Sequence, residues 1–406
     1  MQHPRIGLFF GGQSPEHEVS VISGLQTAAV LAEENYDVTA IYVSKAGRFY
    51  IGNHLLDIER YQDLSAVVGE ATEISMSPGP GRALKITCSK SGIFSSPKES
   101  LIDVAFLVLH GGSGENGAIQ GLCESMGVPY TGSGVMASSV GMDKIRSKII
   151  CRDAGISVVD WVSFSQSQWS GREEEQLSTV EREIGYPAIV KPVHLGSSIG
   201  ISRVTSRTEL DAAIEEAFRY DATALVETCI ANLREINCSV LGDSDFCQVS
   251  VLEEPIGDGA VLSFKDKYMK PGESGRSGSK LNAASSQEGM ASLGRIIPAD
   301  LSDEMTTKIR EIARSVFTAL DGSGVCRIDF LLNDETGELY FNEVNTIPGS
   351  LSYYLWEPSG LPFADLANRL IELAIDRFEN RVRRVRSYDV NLLAERATKG
   401  LKGSKS

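Results

Sequence analysis

Apolar, strand-like stretches alternate with helix-like stretches over the first third of the chain. The stretch at 102–109 is almost continuously apolar, as in a strand of a parallel sheet that is buried on both faces. Strands that alternate with helices indicate a doubly wound α/β domain with a parallel sheet, which we expect to span residues 1–131. Its predicted elements are strands at 5–10, 37–43 and 102–109, and helices at about 19–33 and 118–126.

The pattern changes from about residue 132, where we expect an α+β domain at 132–229 and another at 230–384, followed by a peripheral tail at 385–406. Residues 269–294 are rich in Gly, Ser and charge. Long loops in compact domains tend to be functional lids, so we expect a lid at 265–296. The other predicted elements are helices at 143–154, 173–184, 210–220 and 362–384, and strands at 158–164, 187–191, 200–204, 224–227, 235–241 and 247–252.

Polar and apolar residues alternate on both sides of a Thr-Gly turn within residues 324–349, which predicts a β-hairpin. If the hairpin folds about this turn, Asp329 lies opposite Glu343. Arg327 then lies opposite Asn345 on the same face. Like charges directly opposite one another destabilise a sheet, so the two carboxylates call for a cation. Hard oxygen ligands suit Mg²⁺ that bridges nucleotide phosphates, and the hairpin therefore points to phosphate transfer.

The chain has 406 residues, a net charge of −15 and a pI of about 4.9. Such an acidic chain argues against a nucleic-acid or anionic-membrane partner. Its seven cysteines are scattered without a C-x-x-C pair, which fits a reducing compartment and neither a disulfide framework nor a zinc site. We find no signal peptide and no apolar stretch near the roughly 18 residues of a membrane-spanning helix. We therefore expect a soluble, cytoplasmic protein.

A glycine-rich motif, Gly112-x-Gly114-x-x-Gly117, matches the pattern of dinucleotide-binding loops after a strand and before a helix. The acidic residue that should follow about 20 positions later, at the end of a second strand, is missing. A tight strand-to-helix turn is the favoured interpretation, and a nicotinamide-dependent dehydrogenase is the alternative. The chain contains no G-x-x-x-x-G-K-[ST] motif, which argues against a Walker-type nucleotide site.

Four further positions each admit two interpretations. The stretch from Lys191 to Gly200 is either an anion-binding loop, in which backbone N–H groups wrap the ligand, or an ordinary hairpin. Lys144 is either a ligand or a surface lysine. Glu16 either stabilises the start of a helix or grips a substrate ammonium. His110 ends a core strand, where ligands sit in doubly wound sheets, or is a hydrogen-bonded structural histidine.

Taken together, these segments resemble the D-alanine–D-alanine ligases, which belong to the ATP-grasp superfamily. The matches occur in the family's order and cover about residues 5–375. They are Gly11-Gly12-x-Ser14-x-Glu16, His110-Gly111-x-x-Gly114-Glu115, Met142-Asp143-Lys144, Val190-Lys191-Pro192, Gly196-Ser197-Ser198, Lys267-Tyr268, Arg327-x-Asp329 and Glu343-x-Asn345-Thr346-x-Pro348-Gly349.

The resemblance implies an ATP-grasp fold whose two α+β domains clasp ATP, and a homodimer. It implies that ATP phosphorylates the carboxylate of a first D-alanine, and that the amine of a second D-amino acid attacks the acylphosphate. By the same resemblance, two Mg²⁺ ions (or Mn²⁺) are held by Asp329, Glu343 and Asn345. ATP is bound by Lys144, Lys191, Ser198 and Lys267, with Glu227 and Ile230 near the adenine and Glu235 near the ribose. Glu16 binds the first ammonium, Arg327 and Gly349 stabilise the oxyanion, and Ser197 and Tyr268 join the loop, lid and active site.

One position departs from the family. A serine five residues after Gly349, followed by leucine, usually receives the carboxylate of the second substrate, but here Tyr354 precedes Leu355. A phenol can donate a hydrogen bond, yet it is larger and reshapes the pocket; Ser352 is the alternative hydroxyl. Lys267-Tyr268 instead fits D-alanine. A D-alanine–D-alanine ligase for peptidoglycan precursors is therefore the main hypothesis. The alternatives are a ligase for another D-amino or D-hydroxy acid, a dehydrogenase, and an inactive ATP-grasp module.

Overall fold

The computed structural model describes residues 3–88, 99–256 and 294–385. Seven strands form its first sheet: β1 (Ile6–Gly11), β2 (Val38–Val43), β3 (Phe49–Ile51), β4 (Thr72–Pro78), β5 (Leu84–Cys88), β6 (Glu99–Ile102) and β7 (Val104–Leu107). They lie in the order β6-β5-β4-β3-β2-β1-β7. Strand β1 is parallel to β2 and β7, and the other neighbours are antiparallel.

The strands at the three predicted positions, β2, β1 and β7, are parallel as expected, and an antiparallel edge of strands β3 to β6 extends the sheet beyond the prediction. The apolar stretch predicted as one strand is divided at Asp103, between β6 and β7. The Asp103 carboxylate accepts hydrogen bonds from the backbone N–H of Arg5 at 2.8 Å and from its guanidinium at 2.8 and 2.7 Å. These bonds fix the turn that separates an antiparallel edge from the parallel strands.

The helices of this part are α1 (His17–Glu33), α2 (Leu64–Glu70), α3 (Gly112–Glu115) and α4 (Ala118–Met126). Helix α1 lies close against β1, since a Cβ atom at Gly24 would come within 2.6 Å of the Phe10 ring. The motif Gly112-x-Gly114-x-x-Gly117 forms α3 and the start of α4, with Gly117 in a left-handed conformation at φ 93°. This is the tight strand-to-helix turn favoured by the sequence.

The central part contains helices α5 (Val135–Met142), α6 (Lys144–Asp153), α7 (Gln166–Trp169), α8 (Glu173–Glu183) and α9 (Arg207–Phe218). Its strands are β8 (Trp161–Ser165), β9 (Ala188–Pro192), β10 (Ser202–Val204) and β11 (Thr223–Thr228). They form an antiparallel sheet in the order β10-β9-β11-β8. Helix α6 begins where the Asp143 carboxylate accepts hydrogen bonds from the N–H groups of Ile145 and Arg146, both at 2.9 Å.

The last part contains strands β12 (Leu233–Gly242), β13 (Cys247–Pro255), β14 (Arg295–Ile296), β15 (Gly324–Asn333) and β16 (Leu339–Asn345). They form an antiparallel sheet in the order β14-β13-β12-β15-β16. Its helices are α10 (Asp303–Ala319), α11 (Tyr353–Trp356) and α12 (Phe363–Val382). Helix α10 was not predicted, although its buried residues Ile309, Ala313, Val316 and Phe317 recur at helical spacing.

Helix α12 packs against the first sheet, because Leu370 and Ile371 share a buried apolar cluster with Leu8 and Phe9 of β1. The C-terminal helix therefore closes the molecule back onto its N-terminal part. Within the described ranges, no helix is long and apolar enough to cross a membrane. Residues 257–293, which contain most of the predicted lid, and all but the first residue of the predicted tail lie outside the described residues.

Candidate active site

The hairpin of β15 and β16 has the register that its alternating pattern predicted. Asp329 is the partner of Glu343, and Arg327 is the partner of Asn345. The Arg327 guanidinium donates two hydrogen bonds to the Asp329 carboxylate, both at 2.7 Å. The Asn345 side-chain amide donates to the same carboxylate at 3.1 Å. Four polar side chains thus meet on one face of the sheet.

The polar row continues across the sheet beyond the hairpin. In register, Glu343 pairs with Asp329, Asp329 with Asn237 of β12, and Asn237 with Glu253 of β13. The Asn237 amide donates a hydrogen bond to Glu253 Oε1 at 3.2 Å. Neighbouring strands lie about 4.8 Å apart, so this row spans four strands and about 14 Å. It connects the two ends of the candidate site.

Arg327 keeps its charge within this row. Burial lowers the pKa of its guanidinium, but the Asp329 carboxylate outweighs burial, and the pKa lies well above its ordinary value. The side chain is only 12 % exposed. A permanent, nearly buried cation therefore lies beside the carboxylates of Asp329 and Glu343.

Two lysines contact carboxylates of the site. Lys144 Nζ lies 2.8 Å from Glu343 Oε2 and donates to the backbone oxygen of Leu195 at 2.8 Å. Lys191 Nζ lies 2.6 Å from Oε2 of Glu227. Both ammonium groups are nearly buried, with 6 % of each side chain exposed. The interpretation of Lys144 as an ordinary surface lysine is therefore wrong.

The stretch from Lys191 to Gly200 follows β9 and leads to β10. Ser197 and Ser198 have left-handed backbones, with φ of 54° and 57°. The Ser197 hydroxyl donates a hydrogen bond to Oε1 of Glu16. A Cβ atom at Gly196 would come within 3.1 Å of Glu16 Oε2, so the carboxylate packs closely against this glycine.

Glu16 is the N-cap residue of α1, but its side chain makes no capping hydrogen bond. The carboxylate points instead to the loop at Ser197 and to Gly111, where an added Cβ atom would lie 2.5 Å from Oε2. Of the two interpretations of Glu16, the structure therefore disfavours capping. It leaves the carboxylate at the junction of two glycine-rich loops.

His194 connects the Gly-Ser loop to the start of α6. Its ring lies 3.4 Å from Asp143 Oδ2 and 2.9 Å from Asp221 Oδ2, and its backbone N–H donates to Asp221 at 2.6 Å. Hydrogen bonds to Asp143 and Asp221 raise the pKa of His194 to about 9. The imidazolium therefore holds the loop between two aspartates, one of which precedes Lys144.

His110 is a structural residue that links the N-terminal part to the turn after β16. Its Nδ1–H donates to the backbone oxygen of Ile347 at 2.8 Å, and Nε2 accepts from the Ser23 hydroxyl at 2.8 Å. Burial lowers the pKa of His110 to about 4, so the ring is neutral. Glu115 accepts from the N–H groups of Gly111 at 2.7 Å and Ile347 at 2.9 Å, while burial and Glu16 raise its pKa to about 7.

The turn at Gly349–Ser352 has an unusual backbone. Ser350, Leu351 and Ser352 all lie in the left-handed region, with φ of 50°, 51° and 53°. Such conformations are strained for residues other than glycine. The Ser352 hydroxyl is buried, and it has no hydrogen-bond partner among the described residues. Strain and an unpartnered hydroxyl coincide at the predicted second-substrate pocket.

Tyr354 lies at the far end of the polar row, beside a buried ion pair. Its hydroxyl donates to Glu253 Oε1 at 3.3 Å, and Glu253 Oε2 lies 2.5 Å from the Arg295 guanidinium. The Arg295 guanidinium stacks over the Tyr354 ring at 4.3 Å. Tyr354 is 6 % exposed and Leu355 is fully buried. Tyr354, the residue that departs from the family pattern, therefore contacts two charged side chains, Glu253 and Arg295.

Most of the predicted site residues come together around the hairpin and the Gly-Ser loop. Ile230 follows β11 and is half-buried, and Glu235 lies in β12. Lys267 and Tyr268 lie outside the described residues. No sequence motif points to Glu253, Arg295 or His194, because these residues reach the site only through contacts between distant elements.

No group of three or more His, Cys, Asp and Glu side chains suitable for a metal ion occurs in the described ranges. The predicted metal ligands are the two carboxylates of Asp329 and Glu343 and the side-chain amide oxygen of Asn345. Oxygen donors of this kind fit Mg²⁺, which keeps part of its shell for water and phosphate. The donor set is therefore compatible with a divalent cation that bridges a nucleotide.

Comparison with known proteins assigns both halves of the chain. A family profile described as "D-ala D-ala ligase N-terminus" matches residues 5–133, and one described as "D-ala D-ala ligase C-terminus" matches residues 150–372. A D-alanine–D-alanine ligase of Thermosipho melanesiensis is 37% identical over 388 residues, covering 96% of this chain and 98% of the relative. One of Bacillus licheniformis is 39% identical over 389 residues, covering 93% and 97%.

Solved structures agree with these matches. The D-alanine–D-alanine ligase of Coxiella burnetii superposes with a TM-score of 0.75 at 29% identity, covering 98% of this chain and 99% of the other. The VanG D-Ala:D-Ser ligase of Enterococcus faecalis superposes with a TM-score of 0.72 at 29% identity, covering 92% and 100%. The fold is the ATP-grasp fold of these enzymes. The chain therefore belongs to the D-alanine–D-alanine ligase family.

Proposed function

We propose that this protein is an ATP-dependent ligase that joins two D-alanines into the dipeptide used for peptidoglycan precursors. The reaction converts ATP and two D-alanines into ADP, phosphate and D-alanyl-D-alanine through a D-alanyl phosphate. The observation that carries the proposal is the face on which Arg327, Asp329, Glu343 and Asn345 meet, in a chain whose relatives at 37% and 39% identity are D-alanine–D-alanine ligases.

Enzymes of this family use ATP and a divalent metal, and the polar groups of this site fit both. We propose that Asp329, Glu343 and Asn345 hold two Mg²⁺ ions, with Mn²⁺ as an alternative. When bound, the ions neutralise charge on the transferring phosphoryl group. Glu227 is a buried carboxylate at the end of β11, and we assign it to the amino group of adenine.

The positions of the lysines and of the Gly-Ser loop support our proposal for the remaining ATP contacts. Lys144 and Lys191 reach the phosphates, and Ser198 offers a backbone N–H from its left-handed turn. Ile230 and Glu235 lie next to the adenine and the ribose. Lys267, which lies outside the described residues, is assigned to ATP by the family resemblance alone.

The chemistry at the first D-alanine is assigned to groups around Glu16. The Glu16 carboxylate binds the ammonium, and Ser197, which donates to Glu16, joins this site to Tyr268 of the lid. The D-alanine carboxylate attacks the γ-phosphorus of ATP, and the amine of the second substrate then displaces phosphate. Arg327 and the backbone N–H of Gly349 stabilise the oxyanion at this step, where negative charge develops.

The second substrate meets the pocket formed by Ser352, Tyr354 and Leu355. Tyr354 favours a second candidate function, a ligase that takes another D-amino acid or a D-hydroxy acid. A structural relative is a D-Ala:D-Ser ligase, so this fold accommodates a changed second substrate. Tyr354 contacts Glu253 and Arg295, and these charges make the pocket more polar than a serine alone at position 354 would.

Incubation with ATP, Mg²⁺ and D-alanine tests the first proposal. Release of phosphate with formation of D-alanyl-D-alanine supports it, and phosphate release without dipeptide at millimolar D-alanine would sink it. A panel of D-serine, D-lactate and other second substrates separates the two functions. Tyr354→Ser should shift the preference towards D-alanine, and an unchanged preference would exclude Tyr354 as the determinant.

Three further properties are proposed with this function. All seven cysteines are unpaired, which supports a reducing compartment, the cytoplasm. We expect a homodimer, and light scattering of the eluted protein should give twice the 43.9 kDa chain mass. We place the domains at 1–131, 132–229 and 230–384, with a lid at 265–296, and separate expression of these segments tests the bounds.

A further inference from the structure

Lys148 is a fully buried lysine that the mechanism above does not use. It lies one helical turn after Lys144 on α6, so both side chains project from the same face. Lys148 is 0 % exposed. Its Nζ donates to the backbone oxygens of Asn342 at 2.8 Å and Phe341 at 3.4 Å, and lies 5.8 Å from the centre of the Phe341 ring. It is therefore fixed to β16, the strand that carries Glu343.

Lys148 shares a carboxylate with Lys191. Its Nζ lies 3.2 Å from Oε1 of Glu227, while Lys191 Nζ lies 2.6 Å from Oε2. Glu227 is 2 % exposed, so both ion pairs are shielded from water. Two ammonium groups thus share one carboxylate, and the cluster carries one surplus positive charge.

The two lysines differ in what else holds them. The second contact of Lys191 is a longer one, 3.3 Å to the side-chain oxygen of Asn342. Lys148 is held by two backbone oxygens of a core strand and has no exposed surface. Lys191 is therefore the lysine that can change partner, and Lys148 is the one that stays.

If Lys191 moved away and no other cation lay near Glu227, the buried carboxylate would lose its compensating charge, at a large cost in free energy. A buried carboxylate that loses its only cation is strongly destabilising, because water cannot replace the lost partner. With Lys148 in place, Glu227 keeps one cation when the other leaves. The surplus charge of the cluster also matches an incoming anion.

We propose that Lys148 is a positioning residue that keeps Glu227 charge-compensated while Lys191 moves its ammonium from Glu227 to the phosphates of ATP. This inference rests on the proposed function for the identity of the anion. Lys148 itself does not touch the nucleotide. It acts through Glu227 and Lys191, and it connects them to β16, the strand that bears Glu343 and Asn345.

The test uses the full-length protein with Lys148→Met, which removes charge and donor, and Lys148→Gln, which keeps a donor for the backbone oxygens. Calorimetry with a non-hydrolysable ATP analogue and Mg²⁺ measures affinity, and turnover measures the KM for D-alanine. We expect both variants to weaken nucleotide binding about tenfold or more and to leave the KM for D-alanine nearly unchanged. Lys85→Met, a partly exposed lysine on the first sheet, is the matched control.

A double-mutant cycle with Glu227→Gln decides whether Lys148 acts through Glu227. In the Glu227→Gln background no carboxylate remains to be compensated, so Lys148→Met should have little further effect on nucleotide affinity. An equal loss in both backgrounds overturns the proposal. Recovery of wild-type affinity by Lys148→Gln also overturns it, because the backbone contacts and not the charge would then matter.

Two outcomes are kept distinct. If Lys148→Met does not fold, the variant that carries both Lys148→Met and Glu227→Gln is measured instead. The proposal requires that this double variant fold and bind nucleotide as well as Glu227→Gln alone does. If the wild-type protein makes no dipeptide, the proposed function fails. The nucleotide affinities of the variants still test Lys148 in that case, because they need no D-alanine.

Discussion

Glu343 shows how a single side chain connects two parts of the reaction. Its carboxylate pairs with Lys144 at 2.8 Å and stands opposite Asp329 in the hairpin. A carboxylate in this position can serve the lysine and a metal ion with its two oxygens. Its charge matters for both partners, and a neutral amide of the same shape would bind the lysine and the metal ion more weakly.

Glu343→Gln is therefore expected to lower kcat by at least about 100-fold, because a lost metal ligand removes several kcal/mol of transition-state stabilisation. Phosphate release at saturating D-alanine, over a Mg²⁺ titration, measures the effect. Glu338→Gln, in the exposed turn of the same hairpin, is the control. Near-normal turnover of Glu343→Gln would refute the metal assignment.

Ser352 illustrates a residue whose conformation opposes stability. Its left-handed backbone strains an L-residue by about 1–2 kcal/mol, and its buried hydroxyl has no partner among the described residues. Glycine removes both penalties but adds backbone entropy to the unfolded chain, about 0.5–1 kcal/mol. Ser352→Gly should thus raise the free energy of unfolding by about 1 kcal/mol.

Urea unfolding of the wild type and of Ser352→Gly measures this difference. If the Ser352 hydroxyl binds the second D-alanine, the KM for that substrate should rise in Ser352→Gly. Ser315→Gly, in the exposed face of α10, is the control and should lose about 0.5 kcal/mol. A destabilised Ser352→Gly would show that the turn is not strained.

At the scale of secondary-structure elements, the Gly-Ser loop after β9 depends on His194. The ring and backbone of this residue bond to Asp221, and the ring also lies near Asp143, which caps α6. The loop and the N-terminus of the helix that carries Lys144 are therefore fixed by one charged group. Such a group makes the position of both elements sensitive to pH.

The pKa of His194 is raised to about 9, above its ordinary value of 6.5, so folding favours the protonated form. Its contribution to stability is complete below pH 6.5 and is lost as the pH rises through about 9. We expect the KM for ATP to rise over this range in the wild type but not in His194→Gln. The difference between wild type and His194→Gln, in the KM for ATP and in the free energy of unfolding, gives the contribution of His194. Parallel pH profiles of the two proteins would show that His194 does not cause the pH dependence.

The elements themselves were predictable where one local period governs them. Asp329 and Glu343 were placed opposite one another because side chains alternate strictly along a hairpin with one defined turn. The prediction does not include helix α10, although its apolar residues are regularly spaced. It has one strand at 102–109, because the bond between Asp103 and Arg5 that divides this stretch joins residues far apart in sequence.

The same limit explains the site. Motifs with fixed spacing led to Glu16, Lys144 and Lys191, whereas Lys148 and Glu253 act through partners on other elements. Lys148 bonds to a backbone oxygen 194 residues away. No spacing in the sequence reports such a contact.

At the scale of the whole molecule, hydrogen bonds from the N-terminal part hold the turn that contains Gly349. The Ser23 hydroxyl of α1 donates to His110 and accepts from the backbone N–H of Ser350 at 2.9 Å. Glu115 accepts from the N–H of Ile347 in the same turn. The position of the proposed oxyanion donor is thus set by residues more than 200 positions earlier in the chain.

Ser23→Ala leaves the buried Ser350 N–H without its acceptor, which should cost about 1–3 kcal/mol of unfolding free energy. Because the bond positions the turn at Gly349, kcat should fall together with stability. Urea unfolding and turnover measure the two effects. Ser178→Ala, which removes an exposed hydroxyl on α8, should change neither. Full activity in Ser23→Ala would show that the turn holds its shape alone.

The three left-handed residues at 350–352 have a practical meaning for redesign of the enzyme. Randomised libraries at these positions should return mainly glycine, asparagine and aspartate, since β-branched residues do not tolerate this backbone. Tyr354 lies in a right-handed helical turn, where any of the common side chains is allowed. New acceptor chemistry is therefore best sought by varying position 354, with residues 350–352 left as they are.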